Sequence, residues 1–362
     1  MNIQTKGSEQ IIGLLDNWYV VIRKRNSEKA KQIKNEIDRK ISSVEDENLL
    51  FYHALLEFRY QYLTEHLSIG KDSFNKIESF DKPDDEKLSY YYYFFKAMYL
   101  TIMGDYNLAK KHYEEAEKKL HKLSDRLESA EFHFKLSTFS CHTQRYVLAL
   151  KQVSRARELF ANNYEGNELN IGYCNNVAGL VCVHLKEYEL AEEYLISALD
   201  TFSKQKDEHA TLYVRHNLGF MYANQNLSEL AIRHLSEVSE NEPGNYRAIL
   251  LEACEYEKLG KKDVALSLFE KGLNISNELK IEEYQHHFKI LKAINEEVPG
   301  EQLEAAILAG NKYFEKENLY EYVDEYTEKL ALKFYQEGND SKASKYFYLS
   351  SQVRKENHKK EV

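Results

Sequence analysis

Residues 219–243 read GFMYANQNLSELAIRHLSEVSENEP. Gly219 is followed twelve residues later by Ala231, then by Leu235 and Val238, and Pro243 lies twelve residues beyond Ala231. Small residues at this separation, each on its own helical stripe, let two antiparallel helices bring their backbones close while Leu235 fills the groove beside them. Pro243 falls where the second helix has to stop. The stretch predicts a helical hairpin.

The same block recurs along the chain, so the hairpin is one unit of an array. Its copies are Ala109, Tyr113, Ala116; Ala149, Val153, Ala156; Ala191, Leu195, Ala198; and Ala231, Leu235, Val238. Three looser copies follow: Ala265, Phe269, Gly272; Ala305 with Ala309; and Ala343, Phe347, Ser350. Their first residues lie 40, 42, 40, 34, 40 and 38 positions apart. In most copies a small residue precedes the block by twelve, as Ala97, Ser137, Gly179, Gly219, Ala253, Ala293 and Ala331. Gly104, Gly260 and Gly338 punctuate the turns between. This grammar resembles the tetratricopeptide repeat over roughly residues 88 to 356. The resemblance implies a right-handed solenoid of about seven helical hairpins with a hollow inner face.

Composition agrees with an all-α chain. Three Pro and 14 Gly in 362 residues are too few turn formers for an all-β protein. That length also exceeds what one core usually fills, so domains or an array are expected. The formal net charge of −10 argues against nucleic acid as a partner. Apolar runs are short, so no membrane span is expected, and Met1 to Gln10 lacks the basic and apolar pattern of a secretory signal. The four cysteines, Cys141, Cys174, Cys182 and Cys254, form no C-x-x-C pair and read as small buried hydrophobes.

Residues before about 68 lack the repeat grammar. Ile11, Leu14, Leu15, Trp18, Tyr19 and Ile22 make one helical stripe, and Ala30, Ile33, Ile37 and Ile41 a second. A third runs from Leu49 through Tyr52, Leu56, Arg59 and Leu63. They predict an N-terminal three-helix bundle over 1–68, a connector with Gly70 and Pro83 over 69–89, and the repeats over 90–362. The aromatic run Tyr90 to Phe95 reads as packing between bundle and first repeat.

The pattern Leu15, Asp16, Asn17, Trp18, Tyr19, then Glu45 to Leu50, then Leu56, Glu57, Phe58, Arg59 closely resembles the Rap family of Bacillus regulators. Tyr91 to Tyr99 and the run Glu128 to Lys135 extend the match. The resemblance implies a cytoplasmic protein that binds a response regulator and promotes hydrolysis of its receiver aspartyl phosphate. It also implies a switch by short secreted Phr peptides. Other members of the family block a transcription factor without catalysis, which keeps sequestration open as the alternative.

In phosphatase members a glutamine opening the third helix positions the attacking water, and the matching residue here is Glu47. The chain needs no cofactor of its own, because the receiver would supply the phosphoryl group and Mg²⁺. A carboxamide donates and accepts hydrogen bonds, whereas an ionised Glu47 only accepts and adds negative charge beside the phosphoryl group. A second reading of Glu45, Asp46 and Glu47 is helix capping, with Ser43 as N-cap. Leu50 and Phe58 match receiver-packing positions and, eight apart, share one helix face; burial inside the bundle is the competing reading.

The inner face of tetratricopeptide repeats belongs to the first helix of each pair, which assigns Asn217 and Asn176 to peptide binding. An asparagine can hold a peptide main chain through both its amide and its carbonyl. Where relatives often carry an acidic residue, this chain has His184. The 13 histidines form no H-E-x-x-H, and there is no Walker loop and no G-x-S-x-G, so no metal or nucleotide site is expected.

Overall fold

The computed structural model describes residues 3–65, 68–123, 125–162 and 166–361, and among these it is helical, with no strand. Three helices open the chain: α1 (Ile3–Arg23), α2 (Ser27–Asp38) and α3 (Glu47–Thr64), with a 3-10 turn at Ile41–Ser43 before the third. A four-residue α4 (Asn75–Glu78) follows. Then come paired helices: α5 (Glu86–Ile102) with α6 (Tyr106–Leu123), α7 (Arg126–His142) with α8 (Tyr146–Ala161), and α9 (Glu168–His184) with α10 (Tyr188–Gln205). The series continues as α11 (Glu208–Asn224) with α12 (Ser228–Asn241), α13 (Tyr246–Lys258) with α14 (Lys262–Glu278), α15 (Glu282–Asn295) with α16 (Gly300–Lys316), and α17 (Tyr320–Gln336) with α18 (Asp340–Glu361).

The small-residue blocks lie on the second helix of each pair, and most are fully buried. Ala109, Ala149, Ala191, Ala231 and Ala265 each have no exposed surface. A Cβ placed on Gly219 would stand 2.5 Å from Leu235 Cγ, which is why a hydrogen is the largest substituent that this approach of α11 and α12 admits. Two copies need correcting. In α16 the buried series is Leu303, Ile307 and Gly310, while Ala305 and Ala309 face solvent, and the matching residue on α15 is Leu291 rather than Ala293. In α18 the buried aromatic is Tyr346, not Phe347.

All seven turns inside these pairs share one geometry. Gly104, Gln144, Lys186, Asn226, Gly260, Glu297 and Gly338 have positive φ. After each of them, the next N–H reaches the carbonyl five residues back, as in Asp105 to Leu100 and Glu187 to Cys182, at 2.8–3.2 Å. The three glycines take this conformation freely, and the other four carry a strain of about 1–2 kcal/mol each. Asn241 ends α12 two residues before Pro243, as the sequence requires.

Two compact units divide the chain, Met1–Thr211 and Leu212–Val362. The division differs from the expected break at 69–89. One core runs from Ile11 through α3, α4 and α5 to Phe139, and Phe74 and Ile77 of the expected connector are buried in it. Trp18 sits fully buried at its centre, stacked on His53 with ring centroids 6.1 Å apart. Tyr90, Tyr91, Phe94 and Phe95 join α5 to both sides, Tyr91 stacking on Tyr52 at 5.9 Å.

Two buried carboxylates of α7 finish this junction. Glu128 accepts from the Tyr19 and Tyr90 hydroxyls at 2.9 Å and from Arg23 Nη1 at 3.1 Å. Burial and the Glu128 charge push both phenols well above the usual range, so they remain donors. Glu131 accepts from Arg59 Nη2 at 2.7 Å. Burial alone would raise the Glu131 carboxyl, and the opposing pull of Lys135 and Arg59 holds it below its ordinary value. Charges in such surroundings are tolerated only in pairs.

Two outcomes follow from this packing. Gly219→Ala forces a methyl onto Leu235 and lowers the unfolding free energy by about 1–3 kcal/mol in urea titrations. Glu131→Gln leaves Arg59 buried without a counter-charge and costs about 3–5 kcal/mol, a loss that replacing both partners by apolar residues should largely remove.

Candidate functional site

Three places carry side chains that chemistry could use. The first is the start of α3. Asp46, not Ser43, is its N-cap: Asp46 Oδ1 accepts from Asn48 N at 2.9 Å and Leu49 N at 3.2 Å, while Ser43 Oγ donates to the Lys40 carbonyl. Glu47 is the first helical residue, exposed, with no side-chain hydrogen bond or ion pair among the described residues. Its carboxylate favours the positive helix end. It is exposed where a partner could reach it.

Leu50 lies one turn on and is half-buried. Phe58, expected on the same partner-facing surface, is instead 2% exposed and packs edge-on against Phe74 at 5.2 Å and Tyr99 at 6.3 Å. The segment around α4 and the α5 helix cover that end of the face. Leu50 therefore stays accessible beside Glu47, and Phe58 belongs to the core.

The second place is a groove in the unit that begins at Leu212. A cavity of about 600 Å³ opens there, and its walls come from α11, α13, α15 and α17, the first helix of each pair. This volume lies in the roughly 300–1,000 Å³ range of pockets that hold small ligands. Leu250, Leu251 and Leu291 give it apolar surface and Tyr284, Tyr322 and Tyr326 its rings, while Arg247, Lys258 and Lys329 face Glu255, Glu257 and Glu325 among its charges. Tyr326 and His287 Nδ1 are hydrogen-bonded at 2.6 Å, which fixes both rings. Arg247 is exposed and pairs with no carboxylate among the described residues. Burial lowers the His216 imidazole below its usual value, so the wall that it forms is neutral at pH 7.

Asn217 is 3% exposed and adjoins His216, whose ring contributes to the cavity, but the Asn217 side chain is not among its lining groups. Asn176, on α9, is 2% exposed and belongs to the other unit. Arg247 is exposed, whereas Tyr284 and Tyr322 are half-buried against the core, and nothing in the apolar period of the first helices marks such residues as a ligand wall. His184 stacks on Tyr146 at 4.4 Å.

The third place is Asp38, His53 and Glu57, whose ligating atoms lie within 4.8 Å of one another. Lys34 reaches Asp38 at 2.8 Å and Lys76 reaches Glu57 at 2.6 Å, so both carboxylates are already neutralised. No helix among the described residues is long and apolar enough to cross a membrane.

Residues 5–65 match the family model described as response regulator aspartate phosphatase H, N terminal. Response regulator aspartate phosphatase E of Bacillus subtilis (strain 168) is 30% identical over 77% of this chain and 78% of its own length. Response regulator aspartate phosphatase I of the same organism is 26% identical over 96% and 91%. Among solved structures, a Rap protein complexed with competence and sporulation factor has a TM-score of 0.80 and 23% identity, covering 96% of this chain and 98% of that one. With the repeat architecture, the α3 opening and these full-length similarities together, the chain belongs to the Rap family of response regulator aspartate phosphatase proteins.

Proposed function

We propose that this protein binds a phosphorylated response regulator through the exposed opening of α3 and promotes hydrolysis of its receiver aspartyl phosphate, and that a short peptide in the groove walled by α11, α13, α15 and α17 switches it off. The carrying observation is that Glu47 and Leu50 stay accessible at the position where the family presents its water-positioning residue. The relatives' names as response regulator aspartate phosphatases support the reaction class.

The receiver would bring the phosphoryl group and its Mg²⁺, so Glu47 need only orient a water along the line of attack. As a carboxylate it accepts from that water, but it cannot donate to a phosphoryl oxygen as a glutamine does. Glu47 therefore also favours a second reading, in which the protein sequesters its response regulator without catalysis.

The peptide's role rests on the groove and on a relative of the same fold bound to a signalling factor. Tyr and Leu walls suit apolar side chains, and the exposed Arg247, which forms no salt bridge among the described residues, suits a carboxylate. Peptide would favour the arrangement in which the front helices are docked on α7 through Glu128 and Glu131. Linkage then requires bound receiver to weaken peptide binding by the same factor as peptide weakens receiver binding.

The catalytic claim is tested by phosphate decay from candidate phosphorylated receivers. Wild type should accelerate it, and Glu47→Ala should lose about 10²-fold of that acceleration. If wild type leaves every decay unchanged while Glu47→Gln speeds it, sequestration is the function. For the peptide, Arg247→Ala and Tyr284→Ala should each weaken a fluorescent cognate pentapeptide about tenfold or more in polarisation titrations. Unchanged affinity in both would move the site out of this groove.

A further inference from the structure

Where α1 and α3 meet α7, the charges do not balance. Arg23, Arg25, Arg59 and Lys135 line one small, partly open void of about 40 Å³, with Glu131 as its only acidic wall among the described residues. Arg23 is spoken for by Glu128 at 3.1 Å and Asp125 at 3.0 Å. Arg59 takes Glu131 at 2.7 Å, yet its buried Nε has no hydrogen-bond partner. Arg25 ends on neutral groups: its Nε donates to Asn170 Oδ1 at 2.7 Å and its guanidinium lies 4.0 Å from the Tyr173 ring. Lys135 is 4% exposed, and its Nζ reaches no acceptor closer than Glu131 at 3.9 Å, resting 4.4 Å from the Tyr62 ring.

Arg25 thus borders the void without a carboxylate partner among the described residues, Lys135 shares the single carboxylate of Glu131 with Arg59, and Arg59 lines the void too. Burying cations in excess of anions is costly unless a counter-ion comes with them. A water-sized probe needs roughly 15 Å³, so the space holds a monatomic anion or two to three waters, and no larger ligand. We propose that this void binds one small monovalent anion of chloride size, held by Lys135, Arg25 and Arg59, and that the anion stabilises the docking of α1 and α3 on α7. Burial lowers Lys135 well below the usual lysine range, with Arg25 and Arg59 adding to the effect, so a neutral Lys135 is the competing way to balance the charge. The proposal is independent of the phosphatase reading, since it concerns a junction inside one compact unit.

The test uses the full chain. Crystals grown with bromide in place of chloride should show an anomalous peak in the void. Thermal unfolding in sodium chloride should lie about 3 °C above that in sodium gluconate at equal ionic strength. Lys135→Met should erase the difference between the two salts. No bromide peak, equal melting in both salts, or a difference that survives Lys135→Met would each overturn the proposal. If Lys135→Met does not fold, the bromide peak and the two-salt comparison on wild type decide it alone.

Discussion

Two buried carboxylates on α7, Glu128 and Glu131, set how the front of this molecule is built. Neither can be left alone in a dry interior, so each requires donors, and those donors come from helices far earlier in the chain: Tyr19 and Arg23 from α1, Arg59 from α3. Tyr90 of α5 closes the set. The front helices are thereby tied to the repeats by directional bonds as well as apolar contact. Apolar contact alone tolerates sliding, whereas a guanidinium on a carboxylate fixes one register.

That arrangement would give the proposed switch a physical form. The proposed receiver surface at Glu47 and Leu50 opens on the same α3 that contributes Arg59 to the buried network. Whatever moves α3 away from α7 must break Arg59 from Glu131 and expose both, and water can then solvate them. An undocked arrangement would thus differ from the docked one by a few strong polar contacts rather than by a graded loss of packing, as a two-state element requires.

Much of the architecture was legible in the sequence because close helix packing leaves a mark that few residue types can make. Glycine or alanine is required at Gly219 and Ala231, and a repeat of that requirement names the hairpins. The reading slipped where spacing was the sole guide: at Ala305 and Phe347 a neighbouring side chain, Leu303 or Tyr346, turns inward instead. It also mistook Ser43 for the cap that Asp46 provides, since both can accept from backbone amides and only the 3-10 turn decides between them. Phe58 and the groove residues were beyond reach for opposite reasons. Several helices bury residues all around, so α3 offers no empty side from which a partner-facing aromatic could be told. Arg247 is exposed and Tyr322 half-buried beside the core, and neither pattern distinguishes a ligand wall from ordinary surface or packing.

Trp18 is the chain's sole indole, fully enclosed among the front helices, its Nε1 without a hydrogen-bond partner among the described residues and its ring against His53. Trp18 is thus an intrinsic optical reporter of the packing of the front helices. Its emission belongs to a dry environment while the three helices stay together, and solvent relaxation would redden it if they came apart. No dye or engineered label is required to follow that event in a stopped-flow cuvette.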